Sequence, residues 1–169
     1  MSPTRPEREA DSAPPVPAER PAVDVRPTPI SGPAEVLAHL DLHLSRCRRR
    51  GGVLAVLSVS VEVMAPAGAA PDAVLELRVR QEASNRIANA VRGSDAMLRE
   101  NERDTCVVLP GADAATAQRV SRRIERLVAG DYRVGSDLLT VAVRVGQAAH
   151  PQDGTRAAEL LRRASGRLG

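Results

Sequence analysis

An α+β domain, with helices packed on a sheet that includes antiparallel pairing, is what three features of this chain predict. Residues 53–61, VLAVLSVSV, are a β-branched run of the kind that fills a central buried strand. Residues 92–110, RGSDAMLRENERDTCVVLP, read as helix end, strand, tight turn and second strand. Around them lie segments whose apolar residues recur at helical spacing, giving the order helix, strand, helix, hairpin, helix, strand, helix. At 169 residues and 43% apolar composition the chain is long enough for one domain with a real core.

Residues 1–32 hold eight of the thirteen prolines and no periodic apolar pattern. Such a segment cannot bury enough surface to offset the entropy of ordering it, so a disordered Pro-rich tail is expected, with the folded domain spanning 33–169. Pro33 suits a first helical turn, and Val36, Leu37, Leu40, Leu44 and Cys47 fall at helical spacing up to a stop at Arg48-Arg49-Arg50-Gly51-Gly52. After the strand at 53–61, whose end is expected to carry a site, the loop MAPAGAAPD leads to a helix from about residue 73 to 92. Its inward positions are Val79, Ala83, Ile87 and Ala90 or Val91. The turn of the following hairpin carries four charges and no glycine. Asp113 then caps a helix with Ala117, Val120, Ile124 and Leu127 on one side and Arg119, Arg122, Arg123 and Arg126 on the other. Residues 138–149, LLTVAVRVGQAA, predict another strand, HPQDG a turn, and RAAELLRRASGRL a last short helix.

Composition excludes several functions. Tyr132 is the only aromatic residue, so a nucleobase would have to stack on arginine. All 24 basic residues are arginine, a side chain suited to bidentate recognition of phosphate and guanine edges. The net charge of +3 points modestly to an anionic partner and does not imply nucleic acid. Cys47 and Cys106, on a helix and a strand that look core-facing, make no disulfide framework, and a reduced cytoplasm is the expected location. No apolar run is long enough to span a membrane, and the N-terminus is charged and Pro-rich rather than a signal segment.

Three stretches stand in one order: LSRCRRRGGVLAVLSVSVE, RGSDAMLRENERDTCVVLP, and VAVRVGQAAHPQDG followed by ELLRRA. In them the chain resembles the GGDEF, or diguanylate cyclase, domain over residues 33–169. That family has D-x-D at the end of its first strand, then R-x-x-D-x-x-x-R-x-G-G-D-E-F-x-x-L-L-P, then V-T-V-S-I-G-x-A-x-Y-P-x-D-G. No gap is needed between Val36 and Pro110. The resemblance implies a nucleotide-cyclase-like palm, a central mixed or antiparallel sheet of about five strands with helices packed on it, and a place in bacterial signalling.

It also implies losses. The family's metal-binding Asp falls on Ser60, with Glu62 at the second acidic position, and the metal-binding acid of the hairpin falls on Arg103. The paired glycines are Asn101 and Glu102, the guanine-reading Asn and Asp fall on Gly68 and Leu77, and the phosphate-binding Lys falls on Ala65. The sequence ends at Gly169, before the family's last lysine. Magnesium needs hard carboxylate oxygens, so no enzyme, no metal and no cofactor are expected. The family's inhibitory site for cyclic di-GMP is R-x-x-D, and it stands here as Arg92-Gly93-Ser94-Asp95. Two further arginines of that site fall on Arg46 and Arg123. The expected ligand is therefore cyclic di-GMP, bound by Arg92, Asp95, Arg123 and Arg46.

Plainer readings stand beside these. R-x-x-D strings arise by chance, as Arg8 to Asp11 shows, and Arg92 with Asp95 would also serve as a local ion pair at a helix end. The arginines of 119–126 suit a solvated face as well as a binding surface. His39 and His43 are spaced as a metal pair but lack a third ligand. Glu100, Glu102 and Asp104 would share one strand face, as a solvated edge or a second acidic site. Three functions remain open: a cyclic di-GMP receptor that relays its state to a protein partner, such as exopolysaccharide secretion machinery; a ligand-independent scaffold that keeps only the fold; and a residual GTP-binding enzyme. A homodimer or a ligand-bridged dimer is compatible with the first.

Overall fold

The computed structural model describes residues 30–66 and 70–168; the expectations for the N-terminal tail before residue 30, for Gly68 and for Gly169 lie outside them. The elements are α1 (Gly32–Arg49), β1 (Leu54–Met64), α2 (Ala73–Asn89), β2 (Ala96–Arg99), β3 (Asp104–Pro110), α3 (Ala114–Val128), β4 (Gly130–Val134), β5 (Asp137–His150) and α4 (Ala157–Ser165). The sheet has five strands in the order β2-β3-β1-β5-β4, and each neighbouring pair is antiparallel. This is the expected α+β palm.

The β-branched run takes the centre of the sheet because both of its faces are covered. Ala55, Leu57, Val59, Val61 and Val63 pack under α2 and α3 with Val79, Ala83, Ile87, Ala117, Ile124 and Val128. Leu54 and Val56 face the other way, against Val36, Leu40 and Leu44 of α1 and Ala157, Leu160 and Ala164 of α4. Strand alternation thus divides the core into two layers. Gly146 of β5 lets α4 approach closely, since a Cβ there would overlap the Ala164 carbonyl oxygen.

Helix starts follow their caps. Asp72 accepts from the N–H groups of Val74 and Leu75, and Asp113 accepts from Thr116 N–H at 2.8 Å. Hydrogen bonding with Thr116 holds the Asp113 carboxyl below its usual range.

Three expectations change in detail. The buried stripe of α3 is Ala117, Ser121, Ile124 and Val128, which leaves Leu127 46% exposed rather than inward. Cys47 is half-buried, whereas Cys106 is fully buried and its thiol is pushed up to about 12 by burial, then by Glu100. β4 was not expected; its single buried residue, Tyr132, is held by a hydrogen bond from its hydroxyl to the Val128 carbonyl at 2.7 Å and by Arg86 stacked 4.0 Å above the ring.

One end of the sheet gathers the last turn of α1, the start of β1, the end of β3 and the turn at 92–95, because Ala96 pairs with Val108 and Leu54 with Pro110. The opposite end gathers the end of β1 and the 99–104 hairpin, where Ser60 pairs with Asp104. Among the described residues no helix is long and apolar enough to cross a membrane.

Candidate ligand site

Past the end of α2 the chain reverses through Arg92-Gly93-Ser94-Asp95 before entering β2. Asp95 shapes this turn: its Oδ2 accepts the Arg92 backbone N–H at 2.7 Å, and its own N–H donates to the Arg92 carbonyl at 3.0 Å. Asp95 is half-buried and Arg92 is exposed. The bond from Asp95 thus goes to the Arg92 backbone, and among the described residues no ion pair involves the Arg92 guanidinium.

Arg123 lies on α3, on the sheet face that α2 shares. It is half-buried, and its Nε is shielded from water with no hydrogen-bond partner among the described residues. Its neighbours differ from it: Arg119 donates to Thr116 Oγ1 at 3.0 Å, Arg126 donates to the Arg122 carbonyl at 3.3 Å, and all three other arginines of that face are exposed. Arg46 is exposed on α1, so the sheet lies between it and Arg123. Arg92 and Asp95 therefore share one turn, Arg123 stands on the adjoining helical layer, and Arg46 stands on the opposite one.

At the other end of the sheet, Asn101 knits the hairpin tip that the family closes with glycine. Its Oδ1 accepts from the N–H groups of Arg103 and Asp104 at 2.7 and 2.8 Å, and its Nδ2 donates to Asp104 Oδ2 at 2.9 Å. Glu100 faces Asp104 across the hairpin; burial first and then the Asp104 charge push its carboxyl up, and Oε1 has no partner among the described residues. Arg80, missing from the sequence-based candidates, ties α2 to this end by donating to the Val61 carbonyl at 2.7 Å while also bonding Glu76. Its polar character in an inward position, four residues after Glu76, was the available signal. Glu62 is exposed, and among the described residues no group of three or more His, Cys, Asp or Glu side chains could hold a metal ion. Ser60 and Arg103, which the resemblance aligns with the family's metal-binding acids, offer no carboxylate oxygen to a magnesium ion.

Residues 77–168, more than half of the chain, match the family described as Diguanylate cyclase, GGDEF domain, and the chain belongs to that family. Among solved structures it is similar to the GGDEF domain of PA1120 (TpbB or YfiN) from Pseudomonas aeruginosa, at 21% identity over 82% of each chain with a TM-score of 0.67. It is also similar to a sensory box/GGDEF family protein from Caulobacter crescentus, at 20% identity over 81% of this chain and 89% of that one, TM-score 0.65. A third is the active GGEEF domain of a diguanylate cyclase from Vibrio cholerae, at 14% identity over 81% and 87%, TM-score 0.60. No curated protein matches.

The expectation that the chain is no enzyme is corrected by these findings: its family is that of the diguanylate cyclases, and its fold is one that an active member shares. The expectation went from side chains at single positions to a missing activity, whereas the strand end and hairpin that carry those positions are both formed, with Ser60 paired to Asp104.

Proposed function

We propose that this GGDEF domain is a receptor for cyclic di-GMP, bound at the Arg92–Asp95 turn, and that it relays the bound state to a protein partner in bacterial signalling. The observation that carries this reading is the Arg92 guanidinium, exposed and outside any ion pair among the described residues, on a turn whose shape Asp95 fixes. A guanidinium fork can donate to guanine O6 and N7 while its plane stacks on a base, which matters in a chain with a single aromatic residue. Asp95 Oδ1 is left to accept from the donors on guanine's other edge. Arg123, half-buried on α3, brings a second guanidinium whose other N–H groups could donate to the ligand. Arg46, across the sheet, would meet the same ligand only from a second copy, as in a ligand-bridged dimer.

The hairpin sequence from Arg99 to Asp104 differs from the family's motif, and this reading does not depend on turnover there. We further assign residues 33–169 to the GGDEF domain and the Pro-rich stretch before residue 30 to a tether; Ile30 and Ser31, expected in that tail, dock on Arg99 instead, and Gly32 opens α1.

The test is calorimetric titration of cyclic di-GMP into the wild type and four variants. Arg92→Ala removes a charge-assisted contact, about 1.5–3 kcal/mol, and should weaken binding about ten-fold to over a hundred-fold. Arg8→Ala, in the chance string, should change nothing, and Arg123→Ala and Arg46→Ala should act most where a second copy completes the site. No binding by the wild type at tens of micromolar would favour the scaffold reading, and equal affinity in wild type and Arg92→Ala would put the ligand somewhere other than this turn.

A further inference from the structure

The last two turns of α1 and the strand ends beside them border an open cavity of about 530 Å³. His43, Arg46, Cys47 and Arg50 line it from the helix, Val53 and Pro110 line it from β1's approach and β3's end, and two glycines complete it. Three of the lining side chains are basic and none is acidic. Among the described residues, no ion pair involves either Arg46 or Arg50.

The C-terminal end of a helix ordinarily repels anions through its free carbonyls. Here those nearest the cavity are engaged: Cys47 O accepts from Arg50 N–H and Gly52 N–H, each at 3.1 Å, and Arg48 O accepts from Gly51 N–H at 3.1 Å. The His43 imidazole is held below its usual range by burial and then by the charges of Arg46 and His39, so it feels a positive field. It stays neutral near pH 7 and keeps one N–H to donate.

We propose that this cavity binds a small organic phosphate, with the phosphate between the Arg46 and Arg50 guanidinium groups and the carbon skeleton against Val53 and Pro110. Two guanidinium forks match phosphate oxygens bidentately, and His43 adds a neutral donor. The volume suits a sugar or nucleoside monophosphate rather than a bare ion. The site does not rest on the reading at the Arg92 turn. Arg46 is the only residue the two share, so Arg50 and Arg92 separate them.

Cys47 supplies a reporter inside the cavity. Cys106 is fully buried and its thiol is pushed up to about 12, so in the folded protein iodoacetamide reads Cys47. Adenosine 5′-monophosphate and ribose 5-phosphate, at millimolar concentration on the full chain, should slow Cys47 alkylation several-fold, and adenosine should not. Arg50→Ala and Arg46→Ala should each weaken adenosine 5′-monophosphate binding by calorimetry about ten-fold or more, while Arg92→Ala leaves it unchanged. Protection by inorganic phosphate alone to the same extent would overturn the organic part of the proposal. Equal protection by adenosine, no protection by any probe, or equal loss in Arg92→Ala would overturn the site itself. Arg50→Lys, which keeps the charge and loses the fork, should retain part of the affinity and shows that a loss in Arg50→Ala is not misfolding.

Discussion

Replacing Arg80 by methionine keeps much of the side chain's volume and removes its charge and its donors. Arg80 is only 7% exposed, and it donates to the Val61 carbonyl at 2.7 Å and to Glu76 Oε1 at 2.9 and 2.6 Å. The two losses differ in size. The bond to Val61 is buried, so its carbonyl is left unsatisfied at a cost of about 1–3 kcal/mol. Glu76 retains 30% side-chain exposure, so water replaces the guanidinium there, and the screened ion pair contributes under about 1 kcal/mol. Together they amount to about 2 kcal/mol, a drop in Tm of roughly 6 °C for a domain of this size. Glu76→Gln, which leaves the Val61 bond in place, should cost at most about 1 kcal/mol. Thermal unfolding followed by circular dichroism, with urea titration as a check, reads both variants. Unfolding of Arg80→Met with the wild type, or an equal cost in Glu76→Gln, would refute the assignment of the strand carbonyl as the main anchor.

Gly146→Ala should destabilise by more than the 1–3 kcal/mol typical of an overpacked site, because the atom met is backbone and α4 must lift from the sheet; urea unfolding tests it, and a neutral result would mean that α4 moves freely. Glu100→Gln should stabilise the domain modestly at pH 7, because it removes a negative charge that burial and the Asp104 carboxylate disfavour. The sign follows from the raised carboxyl: the folded state holds its proton to higher pH, so the penalty is absent below the unfolded value of 4.5 and appears as pH rises through the folded one. The gain should therefore vanish near pH 4, and an equal gain at both pH values by urea titration would count against it. Asp95→Ala should loosen the turn by about 0.5–1.5 kcal/mol through loss of the Arg92 N–H bond, and should weaken cyclic di-GMP binding less than Arg92→Ala does. A larger loss in Asp95→Ala would make Asp95 the dominant contact.

The strongly patterned elements were legible from residue order. The run at 53–61 became a strand covered on both faces, and Val79, Ala83 and Ile87 became the buried stripe of α2. β4 escaped because an edge strand with one buried residue has no alternation to read. Its signal lay in Gly135 and Ser136, the two residues between Val134 and its partner Asp137, with Gly135 at φ +63°, the conformation a two-residue hairpin loop demands. Leu127 misled because helical spacing allowed it or Val128 to face inward, and contact with the sheet decides between them. At the candidate site, the string Arg92 to Asp95 was visible, but its backbone-directed bond was not, since sequence does not say whether a carboxylate meets a guanidinium or an N–H. The shielded Arg123 Nε and the placement of Arg46 across the sheet are likewise products of packing.

Calorimetric titration of the full chain with cyclic di-GMP, run beside GTP, tests the receptor reading most directly. Saturable binding of cyclic di-GMP with a Kd below about 10 μM, weakened about ten-fold or more in Arg92→Ala, is the expected result. A flat titration of the wild type at tens of micromolar cyclic di-GMP, or affinity unchanged in Arg92→Ala, would contradict it.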